Sequence, residues 1–208
     1  MEKYEILFAE KINKVLGTTD PAHDLNHVMR VVKTAKALAI SEGANLEVVI
    51  PAAWLHDLVN LSKDHPERSK ASQLAAIAAI EFLNSVDYPQ KYFSEISHAI
   101  EAHSFSGGIT PKTLEAKIVQ DADRLDGLGA IGLARLFSIS TQLSRPFYNF
   151  DDPFAAKRPL DDKQNAIDHI EIKLKKIVEL MNTKAATVEA KKRFHFIENF
   201  LDQLKTEV

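Results

Sequence analysis

The dipeptide His56-Asp57 stands in an almost unbroken apolar run, Val48-Val49-Ile50-Pro51-Ala52-Ala53-Trp54-Leu55 before it and Leu58-Val59 after it. A carboxylate carried into a core is costly unless a cation meets it there, and a metal ion is the economical cation. Two further positions answer the same demand. Asp121 falls on the stripe Leu114, Ile118, Asp121, Leu125, Leu128, Gly132, the spacing of one helix face, so its carboxylate points where apolar groups point. His27 flanks a similar stripe, Val31, Thr34, Ala35 and Leu38. Two imidazoles and two carboxylates, His27, His56, Asp57 and Asp121, suit one divalent ion of the Mn, Mg, Fe, Co or Zn type.

Three separate helices must bring those four residues together. The chain has 208 residues with 7 glycines and 8 prolines, few alternating β-branched runs and helical periodicity from end to end. The expected fold is all-α and single-domain, with helices over about 3–16, 25–42, 46–60, 68–85, 91–104, 112–140, 162–182 and 186–206. Asp24 and Asn45 are suited to cap the second and third, and Thr110-Pro111 puts proline near a helix start. Pro51 must lie in the first turn of its helix or kink it. Between Ser144 and Asp162 runs a long irregular segment with four aromatics, Arg145, Lys157 and Arg158, of a length that suits either a lid or a surface crossover.

Composition narrows the functional classes. A formal net charge of −3 leaves no electrostatic footprint for long nucleic acid, and the absence of cysteine excludes a disulfide framework and a thiolate nucleophile. No apolar run is long enough to span a bilayer, and the start lacks the layout of a signal peptide. A cytoplasmic protein with a small-molecule partner is expected.

The order His27, His56-Asp57, Asp121 resembles the signature of the HD-domain metal-dependent phosphohydrolases. The strings His23-Asp24-Leu25-Asn26-His27-Val28-Met29-Arg30-Val31, Ala102-His103-Ser104-Phe105-Ser106, Gln120-Asp121-Ala122-Asp123-Arg124-Leu125-Asp126-Gly127 and Arg158-Pro159-Leu160-Asp161-Asp162-Lys163 look like a small, single-domain bacterial branch. The resemblance runs over about residues 20–175. It implies an ion on the four named residues in a core of about 20–130, and hydrolysis of a phosphate ester or anhydride of a nucleotide, nucleoside triphosphates included. A phosphodiesterase acting on cyclic or signalling nucleotides is the second enzymatic reading, and a nucleotide sensor without turnover the non-enzymatic one. The glutamate that several such nucleotidases carry after the His-Asp pair is missing from Leu58-Val59-Asn60-Leu61-Ser62-Lys63-Asp64-His65, so a scheme dependent on it does not carry over.

Around such an ion, Arg30 and Arg124 each follow a proposed ligand by one helical turn and are candidates to clamp phosphoryl oxygens, with pairing to Asp24 and Asp123 as the plain alternative. Lys63 and Arg68 follow the His-Asp helix in a polar segment that suits substrate contact or a solvated loop. His103 and His98 compete for leaving-group protonation, since imidazole titrates near neutrality, and Glu101 is a weaker choice. His23 is suited to orient a ligand. Phe147 and Arg158 in the long segment, and Lys163, His169 and Lys173 along a polar stripe of the helices that follow at 162–206, complete the candidate substrate contacts.

Overall fold

Local signals in the chain become helix ends with identifiable caps. The structure, a computed structural model, describes residues 1–15, 24–59, 61, 65, 67–104 and 107–208. Its described residues form α1 (Glu2–Val15), α2 (Leu25–Glu42), α3 (Leu46–Leu55), α4 (Ala71–Ser85), α5 (Phe93–His103), α6 (Leu114–Asp126), α7 (Gly129–Gln142), α8 (Lys175–Glu179) and α9 (Lys184–Leu204), with no strand among them. The all-helical expectation therefore holds. None of these helices is long and apolar enough to cross a membrane.

By internal contacts the chain divides into Met1–Asp123 and Arg124–Val208. In the first unit α3 packs against α1, α2, α4 and α5, and Val48, Val49, Ala52, Ala53 and Leu55 are fully buried around it. A helix hydrophobic on every face has no other stable place. Asp24 caps α2 by accepting from the His27 N–H at 2.8 Å, and Asn45 caps α3 by accepting from the Glu47 N–H at 3.0 Å. Pro51 lies inside α3, one turn beyond the N-terminal position where proline costs nothing. The helix ends at Leu55, five residues short of the expected 60, so His56 and Asp57 stand at its C-terminal exit instead of in its middle.

In the second unit α9 packs on α7 and α8. The single helix expected over 112–140 is two helices, α6 and α7, because Gly129 adopts a left-handed φ of 69° and ends the run. A Cβ on Gly132 would fall 2.2 Å from the carbonyl oxygen of Gly127, so the bend between them requires glycine. Irregular chain also continues past 162: Ile170–Leu174 is one wide π turn leading into the short α8, where a helix over 162–182 was expected. Polar contacts within the segment explain this. The Asp168 carboxylate accepts from the Arg158 guanidinium at 2.5 and 2.8 Å and from the Asp161 N–H at 2.8 Å, closing a loop that a straight helix could not make.

Candidate metal centre

Three elements of the first unit place nitrogen and oxygen donors on one another. His27 sits in the first turn of α2, held there by the Asp24 cap on its own N–H. His56 and Asp57 leave the C-terminal end of α3. One ligand atom from each of these three residues lies within 4.8 Å of the other two. His27 Nε2 stands 3.7 Å from Asp57 Oδ2, and His56 Nε2 stands 3.5 Å from the same oxygen.

These separations are too long for good hydrogen bonds. Two donors each about 2.1 Å from a shared ion stand roughly 3 to 4 Å apart, so the spacing suits a cation between them. His56 strengthens the case. Its Nδ1 donates to the carbonyl of Ala53 at 2.9 Å, which fixes the tautomer and leaves the Nε2 lone pair facing Asp57. That Nε2 is buried and makes no hydrogen bond among the described residues. Burial lowers the His56 pKa against the pull of Asp57, favouring the neutral imidazole that ligates metals. Burial pushes the Asp57 carboxyl up, but His56, His103 and His27 outweigh it and hold the group well below the usual carboxylate range.

The fourth group facing this cluster is Asp123. Its Oδ1 lies 3.5 Å from His27 Nε2 and 4.0 Å from His56 Nε2. Asp121, expected from its apolar stripe, leaves α6 about 200° around the helix from Asp123 and is fully buried. The stripe marks the face packed on neighbouring helices, whereas Asp123 sits at its edge, 29% exposed. Gln120, which the sequence reading passed over, helps set this register: its amide donates to the Ala102 carbonyl at 2.6 Å, tying α6 to the end of α5. No periodicity signal picks out Asp123, though an acid at the border of an apolar stripe in a candidate site is a reasonable place to look.

His103 joins the cluster from the end of α5. Its Nδ1 bonds the Ile100 carbonyl at 2.6 Å, and its Nε2 lies 3.6 Å from Asp57 Oδ1. Burial lowers its pKa, but Asp57 overrides that and the net shift is upward. His98 is employed elsewhere: its Nε2 accepts from the Lys112 N–H at 2.9 Å, fixing the approach to α6. Glu101 accepts from Ser97 within α5.

The basic candidates divide. Arg30 is half-buried on α2, one turn after His27. Arg68 donates to the Leu61 carbonyl. Arg124 donates to the Leu180 carbonyl at 2.6 Å, at the C-terminal end of α8. Lys63 and His23 lie outside the described residues. In the second unit Phe147 packs edge-on against Phe137, Arg158 is committed to Asp168, and His169 Nδ1 bonds Asp162 at 2.8 Å. Lys163 and Lys173 are exposed. The long segment thus uses its principal arginine to hold itself together.

Comparison with known proteins points to one family. Residues 24–128 match the family model for the HD domain. The chain is 29% identical to YpgQ of Bacillus subtilis over 201 residues, 95% of this chain and 90% of that protein. The crystal structure of B. subtilis YpgQ in complex with ADP superposes with a TM-score of 0.76 at 27% identity, covering 100% of this chain and 96% of that one. An HD-superfamily hydrolase from Bacillus thuringiensis gives a TM-score of 0.77 at 28% identity, covering 99% and 97%. With the motif, the helical fold and the His-Asp cluster in agreement, the chain belongs to the HD-domain superfamily, among its small YpgQ-like members.

Proposed function

We propose that the protein is a metal-dependent phosphohydrolase acting on a nucleotide, with nucleoside polyphosphates as the substrate class. The observation that carries this reading is the convergence of His27, His56 and Asp57 within 4.8 Å, with a buried His56 Nε2 that has no hydrogen-bond partner. His27, His56, Asp57 and Asp123 would hold a single divalent ion. Such an ion supplies a lowered pKa for water and polarisation of a phosphoryl oxygen.

The chain's own residues do the rest. The Ala53 carbonyl holds the His56 imidazole and the Asp24 cap fixes the backbone of His27 before substrate arrives, so less reorganisation is needed on binding. Asp57, 3.6 Å away, would stabilise the imidazolium of His103, and that ring, anchored through Nδ1 on Ile100, would give its Nε2 proton to the leaving group. Arg30, one turn beyond His27, is the nearest basic candidate along α2 for a phosphoryl oxygen. The HD-superfamily name of the B. thuringiensis neighbour supports hydrolysis, and the ADP bound to YpgQ supports a nucleotide.

The test is a panel of mono-, di-, tri- and cyclic nucleotides with Mn²⁺ or Mg²⁺, with phosphate and pyrophosphate measured separately. Turnover of at least one nucleotide, abolished by chelator, is expected. Binding without turnover across the panel would make the protein a sensor, and turnover of cyclic nucleotides alone would make it a phosphodiesterase.

A further inference from the structure

Ser72, in the first turn of α4, has a buried hydroxyl whose need for a hydrogen-bond partner no described residue meets. The residue is 3% exposed, and its Oγ has no hydrogen-bond partner among the described residues. A helical serine or threonine ordinarily has an easy partner in the carbonyl one turn back. Ser140 bonds Leu136 at 2.7 Å, Thr141 bonds Phe137 at 3.0 Å and Thr187 bonds Thr183 at 2.8 Å in this way. Ser72 makes no such bond although it is buried, an arrangement that lowers stability and is the kind found where a group is kept ready for a ligand.

Its surroundings say which ligand. A Cβ on Gly107 would lie 3.0 Å from Ser72 Oγ and 3.5 Å from Ser104 Cβ, so the missing side chain keeps space in front of the hydroxyl. Ser104 directly follows His103, whose Nε2 stands 3.6 Å from Asp57 in the candidate ion site. The first turn of a 15-residue helix carries the positive end of its dipole, and Arg68 and Lys70 precede it. Lys70 is paired with Glu67 at 3.0 Å, so the helix dipole and Arg68 carry the positive side. A buried hydroxyl donor at a helix N-terminus, reached through Gly107 and the residue that follows His103, fits an anionic oxygen.

We propose that Ser72 donates a hydrogen bond to a phosphoryl oxygen of the bound nucleoside polyphosphate, in space that Gly107 keeps open. This assignment rests on the phosphohydrolase reading above. It makes Ser72 a substrate-binding residue on an element that contributes no ion ligand.

Calorimetric titration of the whole protein with Mn²⁺, and with ADP and inorganic phosphate in the presence of Mn²⁺, tests it in wild type, Ser72→Ala and Gly107→Ala, with melting curves alongside. Expected for Ser72→Ala are unchanged Mn²⁺ affinity, a melting temperature unchanged or raised, and a Kd for ADP raised about tenfold or more, the usual scale for losing a hydrogen bond to a charged group. Gly107→Ala, whose methyl group crowds the hydroxyl, is expected to raise the same Kd. An unchanged Kd for ADP in Ser72→Ala overturns the assignment, whether or not the melting temperature falls. Wild-type protein that binds phosphate but not ADP overturns the nucleotide reading alone, and Ser72 is then judged on the phosphate Kd. Wild-type protein that binds neither overturns both.

Discussion

The hydroxyl of Tyr88 donates to the backbone carbonyl of Glu47 at 2.7 Å, supplying the bond that Pro51 cannot. In a regular helix the Glu47 carbonyl would receive the N–H of residue 51, and proline has none. A half-buried helix carbonyl left without a donor is costly, so Tyr88, itself 2% exposed, makes a proline tolerable inside the helix that delivers His56 and Asp57. Burial and the adjacent Glu47 push the Tyr88 phenol up, keeping it protonated and able to donate.

The pairing predicts a coupled pair of substitutions. Tyr88→Phe is expected to cost about 1 to 3 kcal/mol, because the carbonyl is left unsatisfied, and to lower the melting temperature. Adding Pro51→Ala restores an N–H for that carbonyl, so the double variant should lose less than the sum of the single changes. A denaturant double-mutant cycle measures this, and strict additivity would show that the two residues are independent.

The two acids of α6 separate by readout. Asp123→Ala is expected to weaken Mn²⁺ binding by at least about tenfold with helix content retained, since each ligand supplies a bond to the ion. Asp121→Ala, which empties a fully buried position, is expected to act first on the melting temperature. Titration and melting of both variants decide the matter. Intact Mn²⁺ binding in Asp123→Ala with loss in Asp121→Ala would return the role to the apolar stripe.

Chelation should abolish turnover while circular dichroism at the helical bands stays unchanged. Val48, Val49, Ala52, Ala53 and Leu55 of α3, with Ile96 and Ile100 of α5, are fully buried without help from an ion, so the core does not need a metal staple. Unfolding on addition of chelator would assign the ion a structural role.

Acid should loosen the 144–168 segment. Burial pushes the Asp168 carboxyl up, but Arg158 and the Asp161 N–H outweigh it and the net shift is downward. A carboxyl with a depressed folded pKa contributes stability above its unfolded pKa and loses it as the pH falls through the folded value. Trypsin susceptibility of the native protein, compared between neutral and mildly acidic pH by a brief pulse followed by mass mapping, should therefore stay flat above the ordinary carboxylate range. An acid-stable protease is expected to cut the segment faster below that range. Asp168→Asn should cut readily at neutral pH and show little further acid dependence, and a profile identical to wild type would remove the pair from control of the loop.

Much of this protein is written in local chemistry. Asp24 and Asn45 are short polar side chains directly ahead of apolar periods, and each accepts the N–H that a helix start leaves over, so α2 and α3 begin where residue types say they should. His27, His56 and Asp57 could be named from sequence because a polar donor in an apolar setting needs a partner wherever the chain runs. The end of α3 at Leu55, the break at Gly129 and the irregular chain up to Ile170 were not legible, since each depends on contacts made by residues distant in sequence or on a backbone angle that glycine permits without requiring. Asp123 illustrates the limit best. Periodicity reports which face of a helix is apolar, and by that measure Asp121 is the inward acid. Which carboxylate meets His27 and His56 depends on how α6 is rotated against α5, set in part by the Gln120 amide on the Ala102 carbonyl, and a rotation of one helix against another is fixed only when both are packed.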